Sequence, residues 1–248
     1  LSGEHEVLFA DVDGNFPNHH PDPTIEKNLE TLITRVKKRN ADLGIAFDGD
    51  GDRIGVIDDL GKILWGDQLL AILAEDVLLE QPGSTIIGDV KASQGLFDRI
   101  TALGGKPLMW KTGHSLIKNK MKEVNAPLAG EMSGHIFFND RYFGFDDAIY
   151  TALRCLEEIN FRNGGLEKFL NLLPESFASP EIRIECKEEE KFKVIEGIKN
   201  NIFGTYNICN LSVKHKIENM ILISSDKAVR PMNVMGASKR ISEIICQD

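Results

Sequence analysis

Residues 43–53 read LGIAFDGDGDR, and this stretch decides both the fold class and the chemistry of the 248-residue chain. Its apolar beginning, LGIAF, predicts a strand. The carboxylates of Asp48, Asp50 and Asp52 converge only if the backbone curls, which the intervening glycines allow. Grouped hard oxygen ligands suit Mg²⁺. The stretch therefore predicts a magnesium site after a strand, with Arg53 beside it as a fixed cation for a phosphate or a carboxylate.

An EF-hand calcium loop is the main alternative for this acidic segment, because aspartate also stands at the first, third and fifth positions of that loop. The match ends at Arg53, which occupies the position of the required glycine, and at Asp59, which stands where the EF-hand has glutamate. A strand also precedes the loop where an EF-hand has a helix. A plain acidic turn is the alternative that binds no ligand.

Short apolar runs alternate with helical patterns on both sides of the acidic loop. The predicted strands are residues 6–10, 43–47, 53–57, 84–88 and 106–110, and the predicted helices are residues 24–39, 67–79, 93–103 and 115–124. An alternating segment, Glu181 to Glu185, and a helix opened by Lys187 to Lys193 follow. This alternation predicts an α/β fold with largely parallel sheets and helices on both faces.

The amino-acid composition argues against several classes of binding partner. The chain has 29 Lys and Arg against 38 Asp and Glu, a net charge of −9, which argues against a nucleic-acid partner while leaving room for a local phosphate pocket. No apolar run reaches the roughly 20 residues of a membrane span, and the first residues lack the features of a signal peptide. The 4 cysteines form no CxxC pair and are expected to be reduced thiols. We therefore expect a cytoplasmic chain without a membrane partner.

Two further segments carry polar groups suited to a sugar phosphate. Residues 111–118 read KTGHSLIK and place His114 at a strand-to-helix turn, where a helix N-terminus favours an anion. Residues 130–135 read GEMSGH, in which Glu131 and Ser133 can bind sugar hydroxyls. His135 can shuttle a proton or pair with a phosphate. A packed structural histidine is the alternative interpretation of His114.

Together these segments resemble the α-D-phosphohexomutase family, in particular its bacterial phosphomannomutase/phosphoglucomutase branch, over residues 1–197. The resemblance implies Mg²⁺ as the cofactor, held by Asp48, Asp50, Asp52 and partly by a phosphoserine. It implies hexose phosphates of mannose or glucose as the substrates, moved between the 1- and 6-phosphates through a bisphosphate intermediate. It further implies catalytic roles for Arg53 and His135. The substrate-binding residues that it implies are Lys91, His114, Glu131 and Ser133.

The same resemblance predicts how the chain is divided. Residues 1–62 correspond to the C-terminal part of the second family domain, residues 63–174 to the whole third domain, and residues 175–197 to the start of the fourth. The Thr-x-Ser-His-Asn-Pro-like loop that carries the phosphoserine in this family does not occur in the sequence. We therefore expect the chain by itself to turn over little or no substrate.

Residues 198–248 resemble a different family, the nucleotide-sugar 4,6-dehydratases, which are extended short-chain dehydrogenases. The matching positions are Ser225, Asp226, Lys227, Met235 and Lys239. The resemblance implies a Rossmann-like fragment, but the chain has no Gly-x-x-Gly-x-x-Gly turn to hold the pyrophosphate of NAD. The alternatives are therefore an NAD-dependent dehydratase fragment, an inactive sugar-phosphate-binding remnant, and a divergent fourth mutase domain whose tail matches by chance.

Overall fold

The computed structural model describes residues 3–161, 189, 191–214, 216 and 241. The chain divides into two compact units, residues 1–176 and residues 177–248. The first unit contains two sheets, and both contribute to the candidate site described below.

The first sheet is a small antiparallel one that presents the acidic loop. Its elements are α1 (Glu26–Arg39), β1 (Leu43–Phe47), β2 (Ile54–Asp58) and β3 (Ile63–Leu64), with strand order β1-β2-β3. Leu29 and Val36 of α1 are buried against Ile57 of β2. The expectation of a parallel sheet is wrong for this part, because the acidic loop alone joins β1 to β2, and a parallel pair needs a crossover of about a dozen residues.

The second sheet is mixed. Its strands are β4 (Thr85–Asp89), β5 (Lys106–Trp110), β6 (Leu128–Gly130) and β7 (Ile136–Phe138), in the order β5-β4-β6-β7. Strand β5 runs parallel to β4, as predicted. Strands β6 and β7 were not predicted; β6 also runs parallel to β4, whereas β7 runs antiparallel to β6 because only the GEMSGH turn separates them. The helices of this part are α2 (Gly66–Glu80), α3 (Gln94–Ala102), α4 (His114–Val124) and α5 (Ala148–Phe161).

Adjacent residues of β4 belong to different apolar cores, which shows that the second sheet is covered on both faces. Ile86 packs with buried residues of α2, α3 and α5. Ile87 packs instead with Ile117 and Met121 of α4. The prediction of helices on both faces is therefore confirmed for this sheet.

The predicted strand at residues 6–10 is wrong. Val7 and Phe9 are 68% and 49% exposed, and Phe9 has a positive φ of 54° that a strand does not tolerate. Glu6 instead forms ion pairs with Arg35 and Arg39 of α1. A short apolar run is not sufficient for a strand, because a strand also needs a neighbouring strand with which to form hydrogen bonds.

The described part of the second unit is mainly one helix, α6 (Lys191–Lys214), which agrees with the predicted helix opening. The alternating segment at residues 181–185 and the dehydratase-like positions Ser225, Asp226, Lys227, Met235 and Lys239 lie outside the described residues. None of the helices in the described part of the chain is long and apolar enough to cross a membrane.

Candidate active site

The parallel strands of the second sheet bring three predicted site residues to one edge. Lys91 follows β4, His114 follows β5 as the first residue of α4, and Glu131 follows β6. Because the carboxyl ends of parallel strands share one edge of a sheet, these three segments converge there, which is where α/β proteins generally bind ligands. Lys91 is exposed in the turn after β4.

The acidic loop is organised around the buried carboxylate of Asp48. Its Oδ1 accepts hydrogen bonds from the backbone N–H groups of Gly51, Asp52 and Arg53 at 3.0–3.1 Å. Its Oδ2 accepts a hydrogen bond from Arg53 Nε at 2.7 Å. Burial raises the pKa of Asp48, but the bonds from Arg53 outweigh it and hold the pKa below its ordinary value. Asp48 therefore stays ionised while it shapes the loop.

The donor set of the loop fits a hard divalent cation. One oxygen from each of Asp48, Asp50 and Asp52 lies within 4.8 Å of the other two. Burial, together with the charges of the two neighbouring aspartates, raises the pKa of Asp52 despite the opposing effect of His135. Repulsion among carboxylates at this distance is relieved by a cation bound between them. These three aspartates form an acidic group that could hold a metal ion.

The acidic loop is joined directly to the GEMSGH turn of the second sheet. Arg53 and His135 form an isolated antiparallel bridge, and the N–H of Ile54 donates to the carbonyl of Gly134 at 3.1 Å. A Cβ placed on Gly134 would lie 2.5 Å from the carbonyl oxygen of Ile54, so only glycine permits this approach. The backbone thus holds the predicted metal ligands and the predicted sugar-binding residues beside each other.

His135 lies at the centre of this junction. Its Nδ1 is 2.9 Å from Glu131 Oε2 and 3.0 Å from Ser133 Oγ, while its Nε2 is 3.3 Å from Asp52 Oδ1. Burial lowers the pKa of His135, but the hydrogen bond to Glu131 and the charges of Asp52, Glu131 and Asp146 raise the pKa above its ordinary value. The structure therefore brings the two predicted catalytic residues, Arg53 and His135, to the same junction.

Glu131 is a buried carboxylate, and neighbouring residues engage both of its oxygens. It is 3% exposed, and its other oxygen, Oε1, accepts the backbone N–H of Gly113. Burial raises the pKa of Glu131, but the bonds from His135 and Gly113 hold it below its ordinary value. Glu131 thus orients His135 through Nδ1 and fixes the turn that precedes His114.

The sequence reasoning missed Asp146 and Lys118. The Asp146 side chain is 6% exposed, and its Oδ1 accepts a hydrogen bond from Lys118 Nζ at 2.9 Å. Its Oδ2 lies 3.7 Å from His114 Nδ1 and 3.9 Å from His135 Nε2. His114 also stacks on His135, with ring centroids 6.0 Å apart. The spacing of Lys118 four residues after His114 on one helix was a usable signal, whereas nothing local in the sequence connects Asp146 with these histidines.

Family models match the same segments. The model described as phosphoglucomutase/phosphomannomutase, alpha/beta/alpha domain II, matches residues 6–61, and the corresponding domain III model matches residues 65–177. A model described as polysaccharide biosynthesis protein matches residues 188–248. The C-terminal segment therefore matches a different family from the rest of the chain, as its second resemblance predicted.

Known proteins resemble the chain in the mutase part. A phosphomannomutase/phosphoglucomutase of Pseudomonas aeruginosa is 52% identical over 205 residues, which are 82% of this chain and 44% of that protein. A phosphoglucomutase of Neisseria meningitidis is 49% identical over 76% of this chain and 41% of its own length. The chain thus spans less than half of these relatives. They favour a mutase over the dehydratase alternative.

Among solved structures, a phosphoglucomutase/phosphomannomutase family protein from Burkholderia thailandensis superposes with a TM-score of 0.71 at 48% identity. The superposition covers 77% of this chain and 40% of that protein. The family models, the relatives and the solved structure all indicate the same family for this part of the chain. The chain belongs to the phosphoglucomutase/phosphomannomutase family.

Proposed function

We propose that this chain supplies the metal-binding and sugar-binding parts of a phosphohexomutase that interconverts hexose 1-phosphates and hexose 6-phosphates, with mannose or glucose as the sugar. The observation that carries the proposal is the junction between the two loops, where Arg53 bridges to His135 and Asp52 lies 3.3 Å from His135 Nε2. A phosphoryl transfer needs a cation at the phosphate and an acid–base group at the sugar oxygen, and this junction brings the candidates for both together.

Each residue at the junction has a defined role in this proposal. Asp48, Asp50 and Asp52 would hold Mg²⁺, which would neutralise charge on the transferred phosphoryl group. The Arg53 guanidinium orients that phosphoryl group, and the hydrogen bond from Arg53 Nε to Asp48 Oδ2 fixes the direction of the guanidinium.

His135 is the proposed acid–base group. When a sugar hydroxyl attacks phosphorus, the new oxygen–phosphorus bond forms, the bond to the donor oxygen breaks, and the hydroxyl proton passes to His135. Glu131 keeps the imidazole in place through Nδ1, so the exchange takes place at Nε2. Burial lowers the pKa of His135, but the hydrogen bond to Glu131 and the neighbouring carboxylates raise it above its ordinary value, and an imidazole is a group that can both accept and return a proton.

Lys91, His114 and Ser133 are the proposed substrate contacts. Lys91 and His114 stand at the carboxyl ends of β4 and β5, where they can hold the phosphate that is not being transferred. The Ser133 hydroxyl lies beside His135 and can bind a sugar hydroxyl. Glu131 is 3% exposed and both of its oxygens are engaged by Gly113 and His135, so in this proposal it acts on the sugar through His135.

Calorimetric titration of the full chain with glucose 1-phosphate in the presence of Mg²⁺ tests the proposal. We expect binding of glucose 1-phosphate, no measurable binding of glucose, and a loss of about tenfold or more in affinity for K91A, because a hydrogen bond to a charged group contributes about 1.5–3 kcal/mol. K122A is the matched control, since Lys122 is an exposed lysine in the last turn of α4. Equal affinities for glucose and glucose 1-phosphate, or equal losses in K91A and K122A, would overturn the proposal.

A further inference from the structure

We propose a second metal site in this chain, formed by Asp52, His135 and Asp146, which binds a transition metal such as Zn²⁺ and is separate from the three-aspartate magnesium site. The three side chains each offer one ligand atom, and these atoms lie within 4.8 Å of one another. The site shares only Asp52 with the acidic loop. It does not depend on the proposed mutase function.

The unpartnered oxygen of Asp146 is the first observation that points to a bound cation. The Asp146 side chain is 6% exposed, and Lys118 engages only its Oδ1. Oδ2 is fully buried and has no hydrogen-bond partner among the residues that the structure describes. A buried carboxylate oxygen without a hydrogen-bond donor is costly, and this one lies 3.7 Å from His114 Nδ1 and 3.9 Å from His135 Nε2, beyond hydrogen-bond distance of both.

The orientation of His135 is the second observation. Its Nδ1 is 2.9 Å from the buried carboxylate of Glu131, so Nδ1 carries the proton and donates it to Glu131. The lone pair of the neutral ring is then on Nε2, which lies between Asp52 Oδ1 and Asp146 Oδ2. A histidine that binds zinc through one ring nitrogen commonly donates a hydrogen bond from its other ring nitrogen to a carboxylate, as His135 Nδ1 does to Glu131.

The spacing of the ligand atoms selects the kind of metal. Bonds of about 2.1 Å in a tetrahedron separate neighbouring ligands by about 3.4 Å, whereas the octahedral shell of Mg²⁺ separates them by about 2.9 Å. The distance from His135 Nε2 to Asp52 Oδ1 is 3.3 Å, close to the tetrahedral spacing, and the distance to Asp146 Oδ2 is 3.9 Å, so both exceed the octahedral spacing. An imidazole nitrogen also suits zinc or cobalt better than magnesium.

Occupation of this second site has a direct consequence for the first. A metal bound to Asp52 and His135 withdraws one aspartate from the acidic loop and occupies the nitrogen that would exchange a proton. The two sites therefore compete through Asp52. Zn²⁺ is expected to antagonise Mg²⁺ binding by the full chain.

Cobalt spectroscopy on the full chain tests this inference, because tetrahedral Co²⁺ absorbs strongly in the visible range and Zn²⁺ displaces it. We expect the unmodified chain to give a tetrahedral spectrum that Zn²⁺ removes. D146N should weaken Co²⁺ binding by about tenfold or more while leaving Mg²⁺ affinity unchanged. The matched control D50N should do the reverse, because Asp50 belongs only to the three-aspartate group.

H135Q is the second test variant, and circular dichroism verifies that each variant is folded. We expect H135Q to lose the tetrahedral cobalt spectrum as D146N does. An octahedral spectrum in the unmodified chain, or Co²⁺ affinities in D146N and H135Q equal to that of the unmodified chain, would overturn the inference. So would a loss of Co²⁺ binding in D50N as large as in D146N, since the metal would then occupy the acidic loop. Binding of glucose 1-phosphate with Mg²⁺ is measured separately, so the two proposals fail independently.

Discussion

Substitution of Gly134 by alanine tests whether the two loops are as closely joined as the structure shows. Gly134 has a φ of +93°, and a Cβ there would lie 2.5 Å from the carbonyl oxygen of Ile54. The backbone conformation alone costs an L-residue about 1–2 kcal/mol. The contact with a backbone atom adds about 1–3 kcal/mol, because neither loop can move aside without losing the hydrogen bond from Ile54 to Gly134. We expect G134A to lower the free energy of unfolding by about 2–5 kcal/mol.

Gly104 provides the control that separates these two contributions. It has a φ of +78°, but nothing lies within 4 Å of a Cβ built on it. G104A should therefore show only the backbone cost of about 1–2 kcal/mol. The difference between the two variants, about 1–3 kcal/mol, measures the contact between the acidic loop and the GEMSGH turn.

Urea unfolding followed by tryptophan fluorescence measures this difference in the right part of the chain. The chain has 2 tryptophans, Trp65 and Trp110, and both belong to the first compact unit. With a slope of about 2 kcal/mol/M, the expected difference corresponds to a midpoint shift of about 0.5–1.5 M between G134A and G104A. Equal midpoints for the two variants would refute the reasoning, because the close approach at Gly134 would then cost nothing.

Two further predictions concern a buried ion pair and a titrating histidine. The side chains of Arg154 and Asp140 are 3% and 1% exposed and pair at 2.8 Å. R154M should therefore lower the free energy of unfolding in urea by about 3–5 kcal/mol, whereas the exposed control R39M should lower it by about 1 kcal/mol or less. Similar losses in the two variants would contradict a desolvated pair. Because the folded-state pKa of His135 is raised above 6.5, its stabilising contribution is complete at pH values below 6.5 and declines as the pH rises through the folded-state pKa. In E131Q, NMR titration should show a lower His135 pKa than in the unmodified chain, and an unchanged pKa would argue against Glu131 as its main stabilising partner.

The helices of the second sheet were predictable because their signals are local. The periodicity of apolar residues and the flanking glycines placed α3 and α4 within a residue or two of their observed bounds. The direction of pairing between β1 and β2 was predicted wrongly although the sequence contains the signal for it. Only residues 48–52 separate the predicted strands 43–47 and 53–57, which is too short a connection for a parallel crossover.

The candidate site was predictable to the extent that its residues are contiguous. The three aspartates and Arg53 occupy a single loop, and Glu131, Ser133 and His135 a single turn, so their chemistry could be recognised without a structure. The role of Asp146 depends on the packing that brings the segment before α5 against α4. Its proximity to His135 is a tertiary contact, and a single sequence contains no information about which distant carboxylate will supply it.

In the proposed function, the balance of charge at the junction sets the order in which a divalent cation and a hexose phosphate would bind. The carboxylates that surround it are Asp48, Asp50, Asp52, Glu131 and Asp146, and the cations beside them are Arg53 and Lys118. A hexose phosphate brings further negative charge, so its approach to the acidic loop is repelled until a divalent cation is in place. A metal at the three aspartates leaves His135 available to the sugar, whereas a metal at Asp52, His135 and Asp146 restores the charge but removes the acid–base group. A cation bound by Asp52 together with Asp48 and Asp50 would therefore permit the proposed phosphoryl transfer. A cation bound by Asp52 together with His135 and Asp146 would block it.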